Sequence, residues 1–136
     1  MTHRWPLRVY YEDTDLAGLV YYANYLKFIE RARSEMVRDA GIDQVAMKAA
    51  GLVFAVRRLT ADYLSAAHYD DQLVVETDLI SLTGVRFVMD QRVLRDAACL
   101  FTANVEIVCL DAAGKPLRIP AGIRQKIAGL GGPKQP

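Results

Sequence analysis

Residues 24–40 read NYLKFIERARSEMVRDA. Apolar side chains fall at Tyr25, Phe28, Ile29, Ala32, Met36 and Val37, three or four positions apart, the spacing of one helix face. Lys27, Glu30, Arg31, Ser34, Arg38 and Asp39 take the other face. Asn24 is the expected N-cap and Gly41 the expected C′ residue. A weaker helical turn is expected over Ile42 to Ala50. After Gly51 the texture changes. LVFAVRRLTADYL, DQLVVETDLISL, VRFVMDQRVLR and CLFTANVEIVCLD are rich in Val, Leu, Phe and Thr with partial alternation, and each reads as a strand. The gaps between them, SAAHYDD, TG and RDAA, hold no helix, so parallel crossovers are excluded and an antiparallel sheet in meander-like order follows.

Working outward, LRVYY at residues 7–11 reads as a first strand, and GIRQKI near the end as a short closing helix or strand. The Gly/Pro-rich GLGGPKQP at 129–136 is expected to be a flexible tail, leaving one domain over 1–128 with no internal repeat. One long helix and about five strands must then share one core. The expected class is α+β, with a curled antiparallel sheet wrapped round the helix.

Composition narrows the function. The chain has 136 residues, 52% of them hydrophobic, enough for one domain with a real core. Lys plus Arg is 17 and Asp plus Glu is 16, so no basic stripe points to nucleic acid. MTHRWPLRVYYEDTD lacks the apolar run of a signal peptide, and no stretch reaches transmembrane length. Cys99 and Cys109 form no disulfide framework. A cytoplasmic setting is the expectation.

The chemistry concentrates just before the helix. YYEDTDLAGLVYYANY, residues 10–25, holds five tyrosines, three carboxylates and one glycine. A carbonyl that is to be polarised and attacked needs a nucleophile or general base and a group to hold the developing oxyanion. A carboxylate meets the first need. Unpaired N–H groups at a helix N-terminus meet the second. The segment from Asp15 to Asn24 offers both, and Gly18 lets the loop turn tightly and brings its backbone near a ligand.

That motif, continued as YYEDTDLAGLVYYANYLKFIERARSEM and followed by VRRLTADYLSAAHYDDQLVVET, resembles the hotdog-fold acyl-CoA thioesterases over nearly the whole chain. It is similar to the Tol-Pal-associated YbgC type and to 4-hydroxybenzoyl-CoA thioesterase. Many YbgC-type members carry histidine where this chain has Tyr22. The 4-hydroxybenzoyl-CoA enzyme resembles this chain in having tyrosine. The resemblance implies that Asp15 is the catalytic carboxylate, as nucleophile or as general base. It implies that the Tyr22 backbone N–H donates to the thioester oxygen. It also implies a homodimer or homotetramer with sites at the dimer interface, and no cofactor.

Other readings compete at the same residues. An acid before a helix is most often a cap or a solvated turn, and Asp13 is read as such a turn or supporting group. A Ser-His-Asp triad needs a suitable histidine, but His3 lies near a terminus and His68 in an expected loop. No His/Cys group has metal-ligand spacing. EDTDLAG faintly resembles a phosphatase Asp-x-Asp, which the strand-rich remainder disfavours. If the substrate is acyl-CoA, its phosphates need cations. Arg57, Arg58, Lys115 and Arg118 are the first candidates, followed by Arg124 and Lys126. An acyl carrier protein thioester could use the same residues. The alternative to a hydrolase is a non-catalytic acyl-thioester-binding or interaction module associated with cell-envelope or lipid-synthesis machinery.

Overall fold

The computed structural model describes residues 2–130. Strand β1 (His3–Arg8) leads through a 3₁₀ turn (Tyr11–Asp13) to helix α1 (Asn24–Asp39) and the short α2 (Gln44–Ala49). Four long strands follow: β2 (Leu52–Tyr63), β3 (Gln72–Leu82), β4 (Arg86–Arg95) and β5 (Ala98–Asp111). The two-residue β6 (Pro116–Leu117) and helix α3 (Ala121–Leu130) complete the chain. The closing segment is therefore a helix. It takes in Gly129 and Leu130, the first two residues of the expected tail at 129–136. Residues 131–136 lie outside the described residues.

All strand pairs are antiparallel, in the order β1-β3-β4-β5-β2, with β6 on β5. The meander holds only for β3-β4-β5. Tight turns at Thr83–Val85 and Asp96–Ala97 force those three to be neighbours. The link between β2 and β3, residues 64–71, is longer and crosses the ends of β5 and β4. Three inter-strand spacings are about 14 Å, within reach of eight residues. β2 is thus left at one edge of the sheet and β1 at the other.

The alternation seen in the sequence becomes the core. Leu73 and Val75 on β3, Phe87, Met89 and Val93 on β4, and Phe101, Val105 and Cys109 on β5 all point inward. They meet Tyr25, Phe28, Ile29, Ala32, Met36 and Val37 of α1. Gln91 and Thr77 are polar yet fully buried under this helix. The Gln91 amide donates to the Ile29 carbonyl at 2.9 Å and to Thr77 Oγ1 at 3.0 Å, and its oxygen accepts from Arg33 at 3.1 Å. Each of these buried groups is satisfied, and the network fixes the height of α1 over the sheet.

Two local expectations fail. The first strand lies at residues 3–8 rather than 7–11, because Asp13 draws Tyr10 and Tyr11 into the 3₁₀ turn. Asn24 is the first helical residue rather than the N-cap. Ala23 precedes it in helical conformation, and the Asn24 amide donates instead to the Asp13 carbonyl at 2.9 Å. Gly41 does occupy the left-handed position after α1, with φ +85.

Candidate active site

The loop from Val9 to Ala23 is clamped from two sides. The crossing link 64–71 runs beneath it: Val9 N–H donates to Asp71 O at 2.9 Å, Asp70 N–H to Val9 O at 3.0 Å, and Val20 N–H to Ala67 O at 2.9 Å. Leu19 pairs with His68 as an isolated antiparallel bridge. Ala67 is held in turn by its N–H donating to the buried Tyr25 hydroxyl at 3.0 Å. From within, Asp13 ties the loop together. Its carboxylate accepts the Tyr10 N–H at 2.8 Å, and its carbonyl accepts Tyr21 N–H at 3.0 Å as well as the Asn24 amide.

Thr14 pairs with Val20, and the intervening residues form a small hairpin that presents Asp15. Asp15 N–H donates to Leu19 O at 2.8 Å, and Gly18 N–H to Asp15 O at 3.0 Å. Gly18 has φ +80, and a Cβ added there would meet nothing within 4 Å, so glycine is needed for the turn and not for space inside the chain. One carboxylate oxygen of Asp15, Oδ1, accepts from Ala17 N–H at 2.9 Å and Leu19 N–H at 3.2 Å. The turn reading therefore accounts for Oδ1. Among the described residues Oδ2 has no partner, and the side chain is exposed.

The helix N-terminus lies at the end of the same loop. Asn24 N–H is taken by Tyr21 O at 2.8 Å and Leu26 N–H by Ala23 O at 3.2 Å, whereas the Tyr22 N–H finds no acceptor among the described residues. The Tyr22 carbonyl accepts from the Tyr63 hydroxyl at 2.9 Å, and the two rings meet edge to face. Burial pushes the Tyr63 hydroxyl above its ordinary range, with Tyr22 and Tyr25 adding to the effect, so it stays a donor at neutral pH. A held carboxylate with one free oxygen and an unpaired N–H at a helix start thus belong to one rigid loop.

The matching family profile is the thioesterase-like superfamily, over residues 9–127. The chain belongs to the thioesterase-like superfamily. It is 43% identical over 122 residues to the acyl-CoA thioester hydrolase YbgC of Escherichia coli O6:H1, covering 88% of this chain and 91% of that one. It is 40% identical to the acyl-CoA thioesterase YbgC of Haemophilus influenzae, covering 88% and 90%. Among solved structures, a probable thioesterase from Bartonella henselae superposes with a TM-score of 0.84 at 40% identity, covering 88% and 100%. The curled sheet around α1 is the hotdog fold of this superfamily.

The expected cations are scattered on this superfamily scaffold. Arg57 sits at the β2 bulge and pairs with Glu106 at 2.7 Å, and Arg58 beside it is exposed. Lys115 lies in the turn between β5 and β6, and Arg118 lies against Gly84 in the β3–β4 turn. Both are at the opposite end of the sheet from Asp15. Within one chain they do not join the Asp15 loop. Lys126 donates to the Gly41 carbonyl at 3.0 Å, and Arg124 is exposed on α3. Sequence reasoning missed Tyr63, Tyr25 and the link at Ala67–Asp71 as supports. The Tyr63–Tyr22 hydrogen bond spans 41 positions, a separation that no local pattern reports.

Proposed function

We propose that this chain hydrolyses acyl-CoA thioesters to free acid and CoA, with Asp15 as the reacting carboxylate and the Tyr22 N–H as oxyanion donor. The observation that carries the reading is Asp15 itself: Oδ1 is anchored by two backbone donors while Oδ2 is free, in the loop that leads into α1. Oδ2 either attacks the thioester carbonyl or takes a proton from an attacking water. In both cases the carbonyl oxygen becomes anionic and the C–S bond breaks. CoA leaves as thiolate and is protonated by Asp15 where Asp15 has taken the water's proton, and by solvent where Asp15 has attacked. If Oδ2 attacks, the resulting anhydride is cleaved by water. One oxyanion donor is worth roughly a hundred- to a thousandfold in rate.

The hydrolase names of relatives at 43% and 40% identity support this reading over a non-catalytic module. β2 is an edge strand of 12 residues with Val56, Leu59 and Tyr63 exposed. Such an edge is completed by a second copy, giving a homodimer or a tetramer of dimers. Antiparallel pairing of two β2 edges sets the lower end of one sheet beside the upper end of the other. Lys115 and Arg118 of one copy then approach the Asp15 loop of its neighbour and can hold CoA phosphates. Among the described residues no helix is long and apolar enough to cross a membrane, and a cytoplasmic enzyme accords with that. The test is free-thiol release from a panel of acyl-CoAs and acyl carrier protein thioesters. Absence of turnover across the panel overturns the proposal. In a single turnover in isotopically labelled water, label in the Asp15 carboxylate identifies direct attack, with water then cleaving the anhydride at the Asp15 carbon.

A further inference from the structure

One face of α1 runs from the reaction site into a cavity. Tyr22, Leu26, Glu30, Arg33 and Val37 follow at helical intervals along it. β2 lies alongside: Tyr63 touches Tyr22 at the helix start, while Phe54 and Val56 face Glu30, Arg33 and Val37 further down. Leu26 and Leu59, both partly open, lie between. The lower end is a cavity of about 150 Å³ whose walls include Phe54, Phe87 and Ile107.

Arg33 is the unusual member of this lining. Burial pushes its guanidinium below the ordinary range, with Glu30 only partly opposing. Among the described residues no carboxylate lies within 4.0 Å of it, and its one hydrogen bond goes to the already committed Gln91 oxygen. Its other nitrogens make no hydrogen bond among the described residues, and the residue forms part of the cavity wall. A half-buried cation without an anion is costly, and guanidinium can only donate. Glu30 does not fill the role: among the described residues neither of its oxygens lies within 4.0 Å of Arg33, and its Oε2 accepts from the Ser34 hydroxyl at 2.7 Å.

We infer that the groove between α1 and β2 holds the acyl chain and that Arg33 receives an acceptor oxygen, a carboxylate above all, at the chain's far end. This rests on the thioester site placed at Asp15 and Tyr22. The length follows from the helix. Eleven residues at about 1.5 Å each separate Tyr22 from Arg33, roughly 16 Å, shortened because helical side chains lean toward the N-terminus. A zigzag chain of about 1.5 Å bonds advances about 1.25 Å per carbon, so roughly ten to thirteen carbons fit. A carboxylate can take two parallel bonds from the guanidinium; a hydroxyl takes one.

The test uses non-hydrolysable CoA thioethers with twelve-carbon chains ending in methyl, hydroxyl or carboxylate, titrated calorimetrically into the wild type, Asp15→Asn and Arg33→Gln. The carboxylate end is expected to bind tightest in the wild type and in Asp15→Asn. Its advantage over methyl is expected to fall tenfold or more in Arg33→Gln. A wild type that binds methyl as well as carboxylate, or better, overturns the inference, and needs no variant to be folded. So does an unchanged ratio in Arg33→Gln, including the case in which that variant only weakens the dimer, which would assign Arg33 to the contact between copies. Failure of the Asp15 chemistry is read separately: it abolishes thiol release and leaves the binding ratios intact.

Discussion

Asp13 and Asp15 are two positions apart in one loop, yet Asp13 is 8% exposed and Asp15 is open to solvent. Asp13 is a structural acid whose oxygen satisfies Tyr10 N–H. Asp15 uses one oxygen for its turn and keeps the other. Replacing Asp15 by Asn preserves the acceptor for Ala17 and Leu19 but removes the charge and basicity. We expect kcat for thiol release to fall at least about a hundredfold, the scale for losing a positioned base or nucleophile, with the melting temperature little changed. In Asp13→Asn the amide oxygen still accepts from Tyr10, so turnover should drop several-fold at most. The reverse pattern would move the reaction to Asp13. This contrast was only partly legible in the sequence. The residues alone left both acids as turn candidates, and it was the resemblance that singled out Asp15. The burial that separates them comes from Tyr21 and Asn24 folding back over Asp13, which no local pattern encodes.

At the scale of elements, the crossing link 64–71 decides whether the loop is rigid. Tyr25→Phe deletes the acceptor of Ala67 N–H in a buried setting, at a cost of about 1–3 kcal/mol for the stranded donor. Since Ala67 O holds Val20, turnover should fall along with the melting temperature; a destabilised variant with unchanged kcat would show that the loop does not depend on this support. Asp71 secures the other end of the link. Burial pushes its carboxyl up, but the His68 N–H and Arg95 outweigh that and leave it below the ordinary carboxylate range. A depressed folded value means that its contribution is complete above the unfolded value and is lost as pH falls through the folded one. Asp71→Asn should therefore cost about 1 kcal/mol at pH 7, the pair being partly screened by solvent, and progressively less on acidification below about pH 4. Denaturant melts of both proteins across that range check it, and a pH-independent difference would rule out the ion pair as the cause. The long strands and α1 were legible because their periods of two and 3.6 are strong. β1 was displaced because HRWPLR, an edge strand interrupted by Pro6, carries a weaker pattern than the LRVYY beside it. The position of β2 was not legible, since strand order depends on pairing partners some 50 residues away.

For the whole molecule, the decisive feature is the asymmetry of the two sheet edges. β1 is short, carries Arg4 and Arg8 outward, and Arg4 is paired with Glu76 and Arg8 with Asp70. Charge of this kind blunts an edge. β2 is twice as long, at 12 residues, and exposes Val56, Leu59, Tyr63 and the adjoining Leu64 beside Tyr22 and Leu26 of the α1 stripe. A patch of this kind, continuous with the reaction site, is what a second copy would cover. On this view the site is incomplete in one chain: Asp15 and Tyr22 come from one copy, and the roof of the groove and the phosphate-binding cations from the other. Leu59→Lys places a charge at the middle of the β2 edge, where a two-fold axis would set it against its own symmetry mate. We expect this variant to sediment as a folded monomer and to lose most thiol-release activity, with the loss in KM at least as large as the loss in kcat because the CoA contacts depart with the partner. Wild type diluted toward its dissociation constant should lose specific activity in parallel with its dimer fraction. A monomeric Leu59→Lys protein that retains full activity would show that one chain suffices, and would return the recognition of CoA to the cations of its own sheet, Arg57 and Arg58 first among them.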